Sequence, residues 1–328
     1  MQNKSNSIVA LAFAFGLFVP IQAKADVPPE MKVLERFVGT WKVEQKRKNA
    51  DGPEIWGFGR ATSKIVLGGR FLAYTAITGK QESYSLFTYD ESKKKYRSWF
   101  FDSKGSHSEW LGTWDEATKT LTRTANLGRG NTGTATSKFL DDDSIEFSLV
   151  LKNRNGKAFL EMNSKFTRQP DAKPLIHKRS KERSASPSEL KSLERMVGKW
   201  SDEAVTRVAV WTPKETRFKS VSEKFWTLGG KYILQQSKDA IFLTTYSRTD
   251  RAVKMWHFNA AGYIHQWTGD WDDESSLTLM SNLDGNPTVS SELIQDFTGN
   301  DTIRWRAIAM DQAGKVYHHI EGTSKRRK

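Results

Sequence analysis

The sequence predicts a mainly β protein made of two tandem antiparallel β-barrels, each preceded by a short N-terminal helix. The first observation behind this is an internal repeat. Leu34-Glu35-Arg36-Phe37-Val38-Gly39-Thr40-Trp41 returns as Leu193-Glu194-Arg195-Met196-Val197-Gly198-Lys199-Trp200. Trp99, Phe101, Gly105, Trp110, Gly112, Trp114 and Asp115 return as Trp256, Phe258, Gly262, Trp267, Gly269, Trp271 and Asp272. A repeat this long describes two whole domains, because the units of solenoids are several-fold shorter.

The second observation is a change of period within each copy. Leu190, Leu193, Met196 and Val197 share one helical face, and Leu34, Phe37 and Val38 repeat the pattern, with Gly198 and Gly39 placed to end the helices. Ser186-Pro187-Ser188-Glu189 reads as a capped start for the second helix. Thereafter the period falls to two in short β-branched and aromatic runs such as Tyr84–Tyr89, Ser144–Leu149 and Ala158–Met162. Turn dipeptides separate them: Asp51-Gly52, Gly68-Gly69, Asn155-Gly156, Gly229-Gly230, Asp284-Gly285 and Ala313-Gly314. About eight to ten strands per copy imply closure, since closing a meander removes its edges.

Residues 1–25 read as a signal peptide: Lys4, an apolar run from Ile8 to Ile21, and Ala23-Lys24-Ala25 as an A-x-A cleavage site. Cleavage after Ala25 implies a secreted or periplasmic protein starting at Asp26, and no second long apolar run suggests an integral membrane protein. Residues 26–168 and 186–328 are the expected barrels, and the Pro-, Ser- and charge-rich stretch 169–185 is the expected linker. The chain has no cysteine, which excludes disulfides and thiolate chemistry. Each copy, at roughly 140 residues, is long enough to hold its own core and to fold separately. Loss of Lys4 and Lys24 lowers the formal charge from +13 to +11, which allows contact with anionic envelope surfaces; nucleic acid is not expected as a partner.

These motifs carry a resemblance. A helix followed by G-x-W, an L-G-G-R/K turn (Leu67–Arg70, Leu228–Lys231), W-x-F and G-x-W-D are similar to an uncharacterised lipocalin-like family of bacterial domains of unknown function, present here in two copies. They also distantly resemble the nitrobindins. The first resemblance implies lipocalin-like barrels and no common activity. The second implies a haem-binding histidine on the last strand, where His318 and His319 fall.

Eight of the twelve tryptophans recur in pairs, which points to packing or to rings lining a pocket. The ligand-lining candidates are Trp110, Trp114, Trp267 and Trp271, together with His265 and His318. Alternation places His265 with Trp267 and Trp271, and His318 with Val316 and Ile320, whereas the first copy has Ser108 and Leu160 there. The leading expectation is an exported, non-enzymatic protein that binds a small hydrophobic molecule in one or both barrels, with no cofactor. The alternatives are haem or a metal on His318 or His265, a packed barrel that binds envelope partners, and a barrel hydrolase or isomerase. No G-x-S-x-G, H-E-x-x-H or P-loop is present to assign catalytic residues, and the acidic runs Asp141–Asp143 and Asp270–Glu274 sit in expected turns.

Overall fold

The computed structural model describes residues 27–176, 179–180, 188–283 and 286–327. The expected signal peptide, the Ser186-Pro187 helix start and the Asp284-Gly285 turn lie outside them. A helical turn, α1 (Met31–Glu35), precedes ten strands: β1 (Gly39–Asn49), β2 (Glu54–Val66), β3 (Phe71–Thr78), β4 (Gln81–Asp90), β5 (Lys95–Asp102), β6 (His107–Asp115), β7 (Thr120–Gly128), β8 (Asn131–Phe139), β9 (Ser144–Lys152) and β10 (Ala158–Arg168). The second half repeats this with α2 (Ser188–Ser192), a 3-10 turn (Leu193–Met196), β11 (Gly198–Thr206), β12 (Thr216–Thr227), β13 (Tyr232–Gln236), β14 (Ala240–Ser247), β15 (Ala252–Asn259), β16 (Ile264–Trp271), β17 (Ser276–Leu283), β18 (Asn286–Thr298), β19 (Thr302–Asp311) and β20 (Val316–Arg326). Every strand pairs with its sequence neighbour, and the last pairs with the first, so each half is a closed antiparallel barrel.

Closure is fixed by one arginine per barrel. Arg168 ends β10 opposite Trp41 of β1, and its guanidinium lies 4.2 Å above the indole. It donates to the carbonyls of Arg36, Val38 and Asp142 and pairs with Asp143 at 3.0 Å, tying the helical turn and the β8–β9 turn to the seam. Arg326 does the same in the second barrel: 4.4 Å over Trp200, donating to Arg195, Val197 and Asn300, and 3.1 Å from Asp301. The glycines expected to end the helices have a different task. Gly39 and Gly198 begin β1 and β11 at φ +136° and +143°, and a Cβ on either would collide with the arginine.

The stretch expected to be a free linker docks in part. Arg60 takes the Lys173 carbonyl and the Leu175 amide donates to Thr62 on β2, while Arg179 pairs with Glu223 and lies over Phe225 on β12.

The expectation of separate folding takes no account of an apolar cluster shared by the two barrels. Leu67, Phe71, Leu86, Trp99 and Phe101 pack with their repeat equivalents Leu228, Tyr232, Leu243, Trp256 and Phe258. The contacts are reciprocal. Phe71 meets Phe258 at 5.7 Å and Tyr232 meets Phe101 at 5.6 Å; Trp99 meets Phe258 and Trp256 meets Phe101, both at 5.0 Å. Each surface is therefore the other's image about a pseudo-two-fold axis, the geometry of an isologous dimer within one chain. The L-G-G turns feed this cluster: Leu67 and Leu228 both adopt φ near +50°. That conformation costs a leucine about 1–2 kcal/mol, which burial of both side chains in the shared core offsets.

One pair of retained tryptophans thus differs in role from a pocket lining. Trp99 and Trp256 face outward from their barrels and inward to the protein. Truncating Phe258 to alanine is expected to destabilise the chain by about 3–5 kcal/mol. Phe101→Ala should cost about the same, because the contacts are symmetric. Urea melts of both variants check this, and a cost near zero for either would show that the interface is not formed.

Candidate functional site

The outer faces of the copies match, whereas their interiors have diverged. Cross-strand pairing places Phe147, Leu149 and Leu151 of β9 opposite Ser137, Ala135 and Gly133, on the inner wall of the first barrel. Leu160 and Met162 of β10 continue that wall, as do Phe100 of β5 and Ser108 of β6. All seven of these inward residues keep solvent contact. Their second-barrel equivalents are Trp305, Ala307, Ala309, His318, Ile320, His257 and His265, and every one is buried. The second barrel is filled where the first is accessible.

Its filling is an aromatic stack. Phe242 lies parallel to His257 at 4.2 Å, His257 is 5.8 Å from its cross-strand partner His265, and His265 is 5.3 Å from Trp267. Trp267 is fully buried and donates to Ser291 at 3.0 Å. His265 and His318 therefore point inward, in agreement with the alternation. His257 joins them; its signal was its position one residue after outward-facing Trp256.

A cavity of about 30 Å³ remains beside this stack, lined by Lys224, Gln235, Phe242, Thr244, Gln295 and Ser324 among others. It holds about two water molecules. Ligand pockets run to hundreds of cubic ångströms, so the residues present do not accommodate a haem there. Among the described residues no three His, Asp or Glu side chains gather where they could hold a metal ion.

The second barrel balances its own buried charge. Asp202, fully buried on β11, accepts from Ser222 at 2.9 Å and from Ser324. Burial lowers the Lys224 ammonium pKa, and the attraction of Asp202 opposes that shift.

In the first barrel the cation is Arg123 on β7, 9% exposed, with its guanidinium 5.0 Å over the Phe87 ring and 3.4 Å from the Ser98 hydroxyl. Burial pushes its pKa down to about 10, with Tyr74 acting in the other direction. Gly112 leaves room for it across the β6–β7 pair, since a Cβ there would lie 2.5 Å from the Arg123 Cγ. Sequence reasoning missed this residue. The signal was an arginine in register with Leu121, Ala125 and Leu127, on the apolar side of an alternating strand.

The four candidate tryptophans separate by level. Trp110 lines the accessible wall of the first barrel beside Ala125 and Ala135, its indole donating to Ser108 at 2.8 Å. Trp114 lies at the helix-capped end, edge-to-face with Phe139, beneath Arg36 and donating to Glu116 at 2.6 Å. Trp271 packs on Phe297 at the corresponding end of the second barrel. Trp114 and Trp271 thus help close the barrel ends, away from the levels occupied by Trp110 and Trp267.

Comparison with known proteins reaches the first copy. Residues 28–168 match the family model described as a protein of unknown function (DUF1579). That stretch contains the whole first barrel and ends on its closing arginine. No curated protein matches the chain. Among solved structures, the chain is similar to a protein of unknown function from the DUF3598 family of Nostoc punctiforme, at 10% identity and a TM-score of 0.29, covering 92% of this chain and 100% of that one. It is also similar to an S-type phycobiliprotein lyase from Guillardia theta, at 11% identity and a TM-score of 0.33, covering 43% of this chain and 93% of that one. At these scores no activity passes to this chain. Among the described residues, no helix is long and apolar enough to cross a membrane.

Burial, with a smaller contribution from neighbouring His319, pushes the His318 pKa down to about 4. An unfolded histidine titrates near 6.5, so below that pH the unfolded chain binds the proton and the folded chain does not. His318 therefore supports the fold fully above about pH 6.5 and progressively less as the pH falls towards 4, a loss of about 3 kcal/mol at most. His318→Leu, which installs the side chain found at Leu160, is expected to flatten the fall of the melting midpoint over that range. An unchanged pH profile in the variant would show that His318 does not carry this dependence.

Proposed function

We propose that this protein is an exported, non-enzymatic binder of a small hydrophobic molecule, and that the first barrel holds it. Support for export is the n-region, h-region and A-x-A order of residues 1–25. The observation that carries the binding reading is the accessible inner wall of the first barrel. Apolar side chains facing a lumen with retained solvent contact lose favourable burial energy, which a ligand restores by displacing the water. The second barrel has already met that need with its own rings.

The roles of the candidate residues follow. Trp110, Leu149, Leu151 and Met162 would contact the ligand. Trp267, His265 and His318 would keep the second barrel shut, so the duplicated copy would act as a packed partner for the first across the shared aromatic core.

The neutral, apolar dye N-phenyl-1-naphthylamine tests this with the full chain. Its fluorescence should rise on binding, and Leu149→Trp, which fills the lumen, should weaken binding by about tenfold or more. His318→Leu in the second barrel should leave it unchanged. Loss of binding in His318→Leu but not in Leu149→Trp would place the ligand in the second barrel and overturn this assignment.

A further inference from the structure

The contrast between the two inward-facing cations, Lys224 half-buried and Arg123 buried, goes further, resting on the binding reading above. In the second barrel Lys224 is answered by Asp202 from the neighbouring strand. The repeat equivalent of Asp202 is Val43, and the strand register aligns Lys224 with Ser63. The first barrel thus carries its cation on another strand, as Arg123, with a valine where the second barrel has a carboxylate. Among the described residues no carboxylate pairs with Arg123, and its Nε has no hydrogen-bond partner. The hydroxyl of Ser63, 3% exposed and paired across the β2–β3 ladder with Tyr74, is equally without one.

A desolvated guanidinium with no anion beside it is among the most costly groups a barrel can enclose. Its nearest neighbours include polar side chains. Ser63, Tyr74, Ser98 and Arg123 form a belt between an apolar floor of Leu72, Tyr96 and Leu121, capped by α1, and the accessible apolar wall above.

We propose that the first barrel takes a carboxylate-bearing amphiphile head first, with the carboxylate on the Arg123 guanidinium and the hydrocarbon tail against Trp110, Leu149 and Leu151. The planar guanidinium fork matches two carboxylate oxygens, and the Tyr74, Ser63 and Ser98 hydroxyls can donate to the lone pairs that remain. A monoanion cancels the one positive charge of Arg123, whereas the buried Arg70 and Arg97 already have carboxylate partners. A dianionic phosphomonoester would leave one negative charge enclosed, so the site favours the carboxylate.

The test is displacement of the neutral dye from the full chain by decanoate and by methyl decanoate. Wild type should bind the acid about tenfold or more tightly than the ester, the size expected of one charge-assisted hydrogen bond. Arg123→Gln should remove that preference, and Arg123→Lys should restore part of it. Equal affinities for acid and ester in wild type, with dye binding intact, would overturn the carboxylate assignment while leaving a hydrophobic-binding barrel. So would a preference that survives in Arg123→Gln. Failure of wild type to bind the dye, the acid and the ester alike would overturn the binding reading itself, and the carboxylate assignment with it.

Discussion

The contact on which the rest of the structure depends is an arginine laid on a tryptophan across the seam of each barrel. An up-and-down meander has two free edges until its last strand meets its first, and those edges carry unpaired amide and carbonyl groups. Arg168 over Trp41, and Arg326 over Trp200, hold the two edge strands in register and use the remaining guanidinium donors on carbonyls of the helical turn. A cation over an indole contributes about 0.5–2 kcal/mol, and each hydrogen bond to a charged donor about 1.5–3. The same contact explains the glycine of G-x-W, since only a residue without Cβ fits beneath the arginine. Once the ring is closed, inner and outer faces are defined, and every later choice concerns what covers each.

The outer face was resolved symmetrically. β3, β4 and β5 present Phe71, Leu86, Trp99 and Phe101, too much apolar surface to leave in water, and the second copy presents the matching set. Because the two patches are images of one another, one set of residues serves both sides, and the repeat retains them in pairs. The inner face was resolved asymmetrically. Nothing ties the two lumens together, so one could fill with imidazole and indole rings while the other kept leucines, phenylalanines and a lone guanidinium. A duplicated domain thus divides into a packed half and an accessible half.

Much of this was legible in the chain. The repeat, the short helices, the strand alternation and the face that His265 shares with Trp267 follow from spacing alone, whereas its inward direction does not. Arg123 was legible too, as a cation on the apolar side of Thr120–Gly128, but an arginine at a strand position reads equally well as an exposed residue until the neighbouring strands are placed. Trp99 and Trp256 show the opposite difficulty. Their period marked them as sharing a face, and no local signal could say that this face looks out of one barrel and into its twin.

The sequence by itself determined the elements, the closure of each barrel and the duplication, because these depend on local period, turn chemistry and self-similarity. Only the tertiary structure decided which lumen is filled, what meets the outer aromatic face and which inward-facing cation has a carboxylate beside it. Those outcomes depend on pairs such as Asp202 with Lys224, Phe101 with Trp256, and Val43 where an acid stands in the other copy. Such pairs are distant in the chain, and burial and charge balance are properties of the space between strands.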